Sequence, residues 1–131
     1  GGSAHPTTHE TVDAKENCLY QEGRAVYKSA VMDMFNSSKE VMERNNLKIE
    51  DVKWFVPHQA NLRIIEAVGS RLGLSEEQVL VNIQKVGNTS AASIPICLDH
   101  NKGKLKKGDK IVLTAFGAGF TWGASYLIWG M

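Results

Sequence analysis

The chain has 131 residues, 43% of them hydrophobic and 22% charged, with a formal net charge of +1. That is enough for one domain with a core, and the near-neutral balance excludes a global basic field for nucleic acid, so an anionic partner needs a local patch. No run of 18 apolar residues argues for a membrane span, and the polar start GGSAHPTTHE has no signal-peptide core. Cys18 and Cys97 lie far apart without CxxC spacing, which indicates neither a zinc site nor a redox pair. A reduced, cytoplasmic setting is the expectation.

Residues 1–20 read as irregular, rich in Gly, Ser, Thr, Pro and His without a sustained period. From Glu22 to about Asn46 the pattern is helical, with Val26, Ala30, Phe35, Val41 and Met42 near one face. Asn45-Asn46 stops it, because asparagine tolerates the left-handed geometry of a helix end. Val52 to Val56 reads as a short buried strand closed by Pro57, which lacks a ladder N–H. Asn61 to Leu72 is a second helix, with Leu62, Ile65, Val68 and Leu72 on one face and Gly73 as its stop.

Ser75-Glu76-Glu77-Gln78 is a capping box that opens a short helical turn. Val79 to Ile83 is a small strand or an extended link. Residues 89–101 form a helix rich in small residues, expected to be buried between layers, with Pro95 tolerable within its first turn. The lysine-rich stretch KGKLKKGDK is a solvated turn. KIVLTAF (110–116) and ASYLIWG (124–130) are strands flanking GAGFTWG, an antiparallel pair. The succession helix, strand, helix, strand, helix, strand, strand indicates a layered α/β unit.

Chemistry concentrates at three places. His58 follows a strand that ends at Pro57, which puts it at the carboxyl edge of a sheet, where open α/β folds bind ligands. Gln59 and Asn61 follow, and a helix begins; such polar clusters build sites. In GNTSAAS (87–93), Gly87 permits close backbone approach and the Asn88 amide can donate to a carbonyl oxygen. In FGAGFTWG, Gly117 and Gly119 allow backbone N–H groups to face a ligand, as in an oxyanion hole. A lone histidine, a capped turn or a glycine hairpin is more often structural, so each gains weight only from the others. His and Asn donors form no acyl intermediate; that needs an activated nucleophile, and both cysteines read as structural. His5 and His9 are i,i+4, but Pro6 argues against a helix presenting both, and no third ligand is near, so no metal site is expected. His100 reads as solvated.

The motifs VPHQANLR (56–63), GNTSAAS (87–93) and FGAGFTWG (116–123), in this order, resemble the C-terminal half of the β-ketoacyl-acyl-carrier-protein synthase III family. The resemblance runs from about Gln21 to Met131. It implies a thiolase-like α/β half-domain, a mixed sheet with helices on both faces, forming part of a five-layer αβαβα fold and working as a homodimer. Residues 1–20 then join the missing N-terminal half to a domain spanning 21–131. The family's nucleophilic cysteine lies in that missing half, so the chain alone is expected to be inactive in condensation.

The resemblance also implies roles. His58 and Asn88 donate to the malonyl thioester carbonyl and stabilise the enolate left by decarboxylation; as a donor, His58 needs a neutral ring whose tautomer is fixed by a partner on Nδ1, which a backbone N–H or C=O could supply. The N–H of Ala118, between Gly117 and Gly119, contributes to the oxyanion hole. Gly23, Ala60 and Asn61 line the pantetheine and coenzyme A tunnel. Arg63, and Arg71 further along the helix, face the acidic acyl carrier protein. Acyl-CoA and phosphopantetheine thioesters are substrates, and no bound cofactor, nucleic acid or membrane is implied. Two alternatives stand beside this one: a non-catalytic half-domain or oligomerisation fragment, and a related thiolase-fold enzyme making another ketide.

Overall fold

A computed structural model describes residues 2–18 and 20–131; positions 1 and 19 of the segment expected to be irregular lie outside the described residues. That segment contains a five-residue helix, α1 (His9–Asp13), with no buried residue. Its start is held by Thr8, whose Oγ1 accepts from the Thr11 N–H, while Thr11 Oγ1 accepts from the Thr8 N–H. This reciprocal pair satisfies two backbone donors that a helix start otherwise leaves open.

α2 (Gly23–Arg44) follows the expected span. Its buried residues are Ala30, Val31, Met34, Ser38 and Met42, spaced by three and four. Val26 and Phe35, expected on that face, are half-buried at its margins. Asn46 takes a left-handed φ of 52°, which ends the helix as the asparagine pair implied. β1 (Trp54–Pro57) is a four-residue strand whose last three residues are buried. α3 (Leu62–Leu72) begins at Asn61, whose Oδ1 accepts from the Arg63 N–H at 2.9 Å, and ends at Gly73 in the left-handed region.

Ser75–Gln78 makes the expected capped turn: the Gln78 Oε1 accepts from the Ser75 N–H at 3.0 Å. Val79 is extended and bridges to Phe55 in parallel fashion, and the Leu80 N–H donates to the Phe55 carbonyl. A single helical turn not foreseen from sequence, α4 (Ile83–Val86), comes next.

α5 (Ser93–Asn101) is shorter than the helix expected over 89–101. Ser90 has φ 52°, which no right-handed helix accommodates, so residues 90–92 form only a tight turn. Pro95 falls in the first turn of α5, where its missing N–H costs nothing. Only one face of α5 is covered: Ser93, Cys97 and Asn101 are buried, while Pro95, Asp99 and His100 are exposed. The expected burial on both sides is therefore not met among the described residues.

β2 (Lys110–Gly117) and β3 (Thr121–Ile128) form the predicted hairpin, with Lys110 opposite Ile128 and Gly117 opposite Thr121. The strands run further into the glycine-rich segment than expected, leaving a three-residue connection, Ala118-Gly119-Phe120. β1 pairs with β2 in parallel, Trp54 opposite Ile111, so the sheet is mixed in the order β1-β2-β3.

The sheet's period-two alternation builds two cores. Phe55 and Val112 point toward α2 and α3, packing with Ala30, Met34 and Val68. Val56 and Ile111 point to the other side, packing with Cys97, Leu80 and Leu105. Helices thus cover both faces, and the carboxyl ends of β1 and β2 sit between them. No helix among the described residues is long and apolar enough to cross a membrane.

Candidate active site

The carboxyl end of β1 delivers His58. Its backbone N–H donates to the Thr114 carbonyl at 2.7 Å, which extends the parallel ladder by one residue and fixes where the side chain leaves the sheet. The ring is half-buried, and its Nδ1 lies 2.6 Å from Ser93 Oγ at the first residue of α5. The partner on Nδ1 is thus a side-chain hydroxyl rather than a backbone group, because α5 starts against the ring. Burial lowers the His58 pKa, and the positive end of α5 acts in the same direction. The imidazole is therefore held neutral near pH 7.

Gln59, read from sequence as part of a polar site cluster, is instead a structural tie. It is fully buried. Its Nε2 donates to the carbonyls of Pro57 and Leu80, at 2.8 and 3.3 Å, and its Oε1 accepts from the N–H groups of Asn82 and Ile83, at 2.9 and 3.2 Å. Four backbone groups with no secondary-structure partner of their own are satisfied by one amide. The tie holds the loop carrying His58 against residues 80–83, which lead toward Asn88.

Asn88 lies in the connection before α5. Its Oδ1 accepts from the Ser90 N–H at 2.9 Å. With the oxygen engaged, the Asn88 Nδ2 is the end free to donate outward.

His58 and Asn88 line one cleft of about 1190 Å³, together with Gly23, Ala60, Asn61, Arg63, Gly117 and Ala118. A second recess of about 730 Å³ reaches the same pair from the β3 side, past Leu113 and Ala115. Four stretches distant in sequence are thus brought to one place: the start of α2, residues 58–70, residues 88–94 and the β2–β3 hairpin. Two of the anticipated residues are not. Gly119 lines neither recess; its φ is 142°, and a Cβ there would fall 2.8 Å from Thr121 Cγ2, so its role is to permit the turn. Arg71 also lines neither recess. Its guanidinium donates to Met32 Sδ at 2.8 Å and sits 5.9 Å from the Phe35 ring centroid, tying α3 to α2.

Neither thiol borders the cleft. Cys97 is fully buried, and desolvation pushes its pKa up to about 11, with Lys104 opposing weakly. That is a packed, unreactive thiol. Cys18 is exposed and packs in neither core. Among the described residues, no three His, Cys, Asp or Glu side chains come together as a metal site would require.

Ser93 and Gln59 are the residues whose contribution sequence reasoning missed. The only sequence signal for Ser93 was its place at the end of the motif GNTSAAS, where it read as one more small residue.

The fold and the site together define a mixed α/β layer whose strand ends carry hydrogen-bond donors, and no thiol, around an open cleft. Comparison with known proteins narrows that class. Residues 42–129 match the family model described as 3-oxoacyl-[acyl-carrier-protein] synthase III C terminal, and the chain belongs to that family. It is 62% identical over 129 residues to a β-ketoacyl-[acyl-carrier-protein] synthase III of Porphyromonas gingivalis, covering 98% of this chain and 38% of that protein. A Chlorobaculum tepidum protein of the same name is 50% identical, with 98% and 40% covered. Among solved structures, the Thermus thermophilus synthase III superposes with a TM-score of 0.83 at 50% identity, over 87% of this chain and 36% of that one. The priming β-ketosynthase of the R1128 polyketide pathway does so with 0.79 at 34%, over 92% and 38%. The chain thus spans about two fifths of the length of the relatives it matches.

Proposed function

We propose that this chain is the C-terminal half of a β-ketoacyl-acyl-carrier-protein synthase III, supplying the groups that stabilise the enolate in a decarboxylative Claisen condensation. An acyl-CoA primer first acylates a cysteine carried by the N-terminal part that the relatives possess. Malonyl carrier protein then enters. His58 Nε2–H and the Asn88 amide donate to its thioester carbonyl, so the negative charge left when carbon dioxide departs collects on an oxygen already held. The enolate carbon attacks the acyl-cysteine, the thiolate leaves, and a β-ketoacyl thioester results. The N–H of Ala118 assists the tetrahedral oxyanion.

The observation that carries this reading is the convergence of His58 and Asn88 on one cleft, each with its inner atom already engaged. A donor fixed before the charge develops loses little to reorganisation. A neutral ring suits the role, because an imidazolium would favour the malonyl carboxylate as much as the enolate. Gly23, Ala60 and Asn61 border the route of the pantetheine arm, and Arg63 stands at its mouth for an acidic carrier protein. Arg71, engaged with Met32 and Phe35, takes a smaller part in that docking. The same reading makes the isolated chain inactive in condensation. It also assigns the exposed Phe120, Trp122 and Ile128 to contact with the N-terminal half of a cytoplasmic homodimer. A second reading, a related ketide-forming enzyme, is favoured by the likeness to the R1128 priming enzyme. Primer selection by the full-length protein separates the two.

The test measures two half-reactions in the full-length enzyme. His58→Ala or Asn88→Ala lowers malonyl decarboxylation by about 3–4 kcal/mol in barrier terms, two to three powers of ten in rate. Acylation of the cysteine persists. Loss of acylation with normal decarboxylation refutes the assignment.

A further inference from the structure

A histidine stabilises an oxyanion only if the ring nitrogen facing it carries the proton. Which nitrogen does so is set by what the other one touches. Nδ1 of His58 touches Ser93 Oγ, at 2.6 Å, and Nε2 has no protein partner among the described residues. The proton's location therefore depends on which way the Ser93 hydroxyl points.

Hydrogen-bond accounting at Ser93 decides that. A hydroxyl has one proton to give and two lone pairs. Ser93 is 1% exposed, so water does not serve it. The Gln59 N–H donates to Ser93 Oγ at 3.3 Å and occupies one lone pair. Among the described residues, no carbonyl, carboxylate or amide oxygen accepts from the Ser93 hydroxyl. The one acceptor within reach of its proton is Nδ1 of His58. If Nδ1 carried a proton instead, Ser93 would become the acceptor, and its own buried proton would have no partner. That arrangement costs an unsatisfied buried donor.

We propose that Ser93 is a positioning residue for His58: its hydroxyl, oriented by the Gln59 N–H, donates to Nδ1 and places the ring proton on Nε2, facing the cleft. The same arrangement opposes the doubly protonated ring, which would turn two donors toward each other. Gln59 enters twice, its backbone orienting Ser93 and its side chain holding the loop that carries His58. The inference rests on the donor role proposed for His58, but its first test is independent of that role.

The test reads the tautomer directly in the complete protein, this chain together with the N-terminal part its relatives carry. The ring nitrogens of His58 are observed by 15N NMR after selective histidine labelling, above the pH at which the ring titrates. His58→Gln identifies the resonances. The expected wild-type result is one tautomer, with Nδ1 unprotonated and Nε2 protonated. Ser93→Ala should give a mixture of tautomers, and Ser93→Cys, nearly isosteric but a weaker donor, an intermediate shift at Nδ1. A wild-type ring protonated at Nδ1 overturns the inference without any variant. So does a tautomer and Nδ1 shift unchanged in both variants.

The kinetic arm separates this from the functional reading. Ser93→Ala should lower malonyl decarboxylation at least in proportion to the Nε2–H tautomer lost, as read from the same variant's NMR populations. Cysteine acylation should be unchanged. A tautomer that responds while decarboxylation does not supports the Ser93 inference and overturns the donor role of His58. Decarboxylation that needs His58 while the tautomer ignores Ser93 does the reverse.

Discussion

Gln59→Leu removes the tie between the His58 loop and residues 80–83 while keeping the volume of the side chain. The amide serves four backbone groups, and the Asn82 and Ile83 N–H groups are the two it leaves without an acceptor. Asn82 is 2% exposed, so water does not replace the lost oxygen there. Each orphaned buried donor costs about 1–3 kcal/mol, and the added apolar burial of leucine returns about 1 kcal/mol. A net loss of about 3 kcal/mol follows. With a urea slope of about 1–3 kcal/mol per molar, the unfolding midpoint drops by 1 M or more. Fluorescence of Trp54, on the strand that ends beside the tie, reports it. Gln59→Glu gives a second signature. Its carboxylate faces the Pro57 and Leu80 carbonyls in a site without water, which raises its folded pKa above the unfolded value, so this variant regains stability as pH falls. A Gln59→Leu loss below about 1 kcal/mol refutes the tie.

Three further outcomes are expected. Burial lowers the His58 pKa from 6.5, so its contribution to stability is fully present above the unfolded value and is lost as pH falls from about 6.5 through the lower folded pKa; the difference in pH-dependent stability between wild type and His58→Gln isolates it. Gly119→Ala destabilises by about 1–3 kcal/mol, because the new Cβ would meet Thr121 Cγ2 at 2.8 Å and its backbone nitrogen at 3.0 Å; an unchanged thermal midpoint contradicts this. Arg63→Glu in the full-length protein weakens use of carrier-protein substrates and their salt dependence more than turnover with a coenzyme A thioester, and equal losses on both place Arg63 in the tunnel instead.

Local rules made much of the fold legible. α2 and α3 follow from apolar spacing and from Asn46, Asn61 and Gly73 at their ends, and the β2–β3 hairpin from alternation around glycines. His58 could be placed because Pro57 marks a strand end. The parts that escaped depend on contacts between distant residues. Nothing in the sequence around Gln59 distinguishes a surface amide from one that binds residues 80–83. Ser93 acquires its role only when α5 packs its first turn against a ring 35 positions earlier in the chain. α5 is shorter than the run of small residues suggests because Ser90 adopts a left-handed backbone, a choice its side chain does not announce.

The mixed sheet has a consequence for how the chain is made. β2 and β3 are joined by three residues and pair as soon as both exist. β1 instead needs a partner from a much later stretch, with Trp54 opposite Ile111. On the ribosome, Trp54-Phe55-Val56 therefore leaves the exit tunnel well before the strand that completes its ladder has been synthesised. During that interval an apolar strand with open hydrogen-bonding edges is exposed, the kind of segment that chaperones bind and that aggregates when they do not. Closing so long a loop is also the slow step for such topologies. The pairing that places His58 thus makes the site among the last features to mature, and a nascent chain paused before residue 110 would carry the histidine without the strand that aims it.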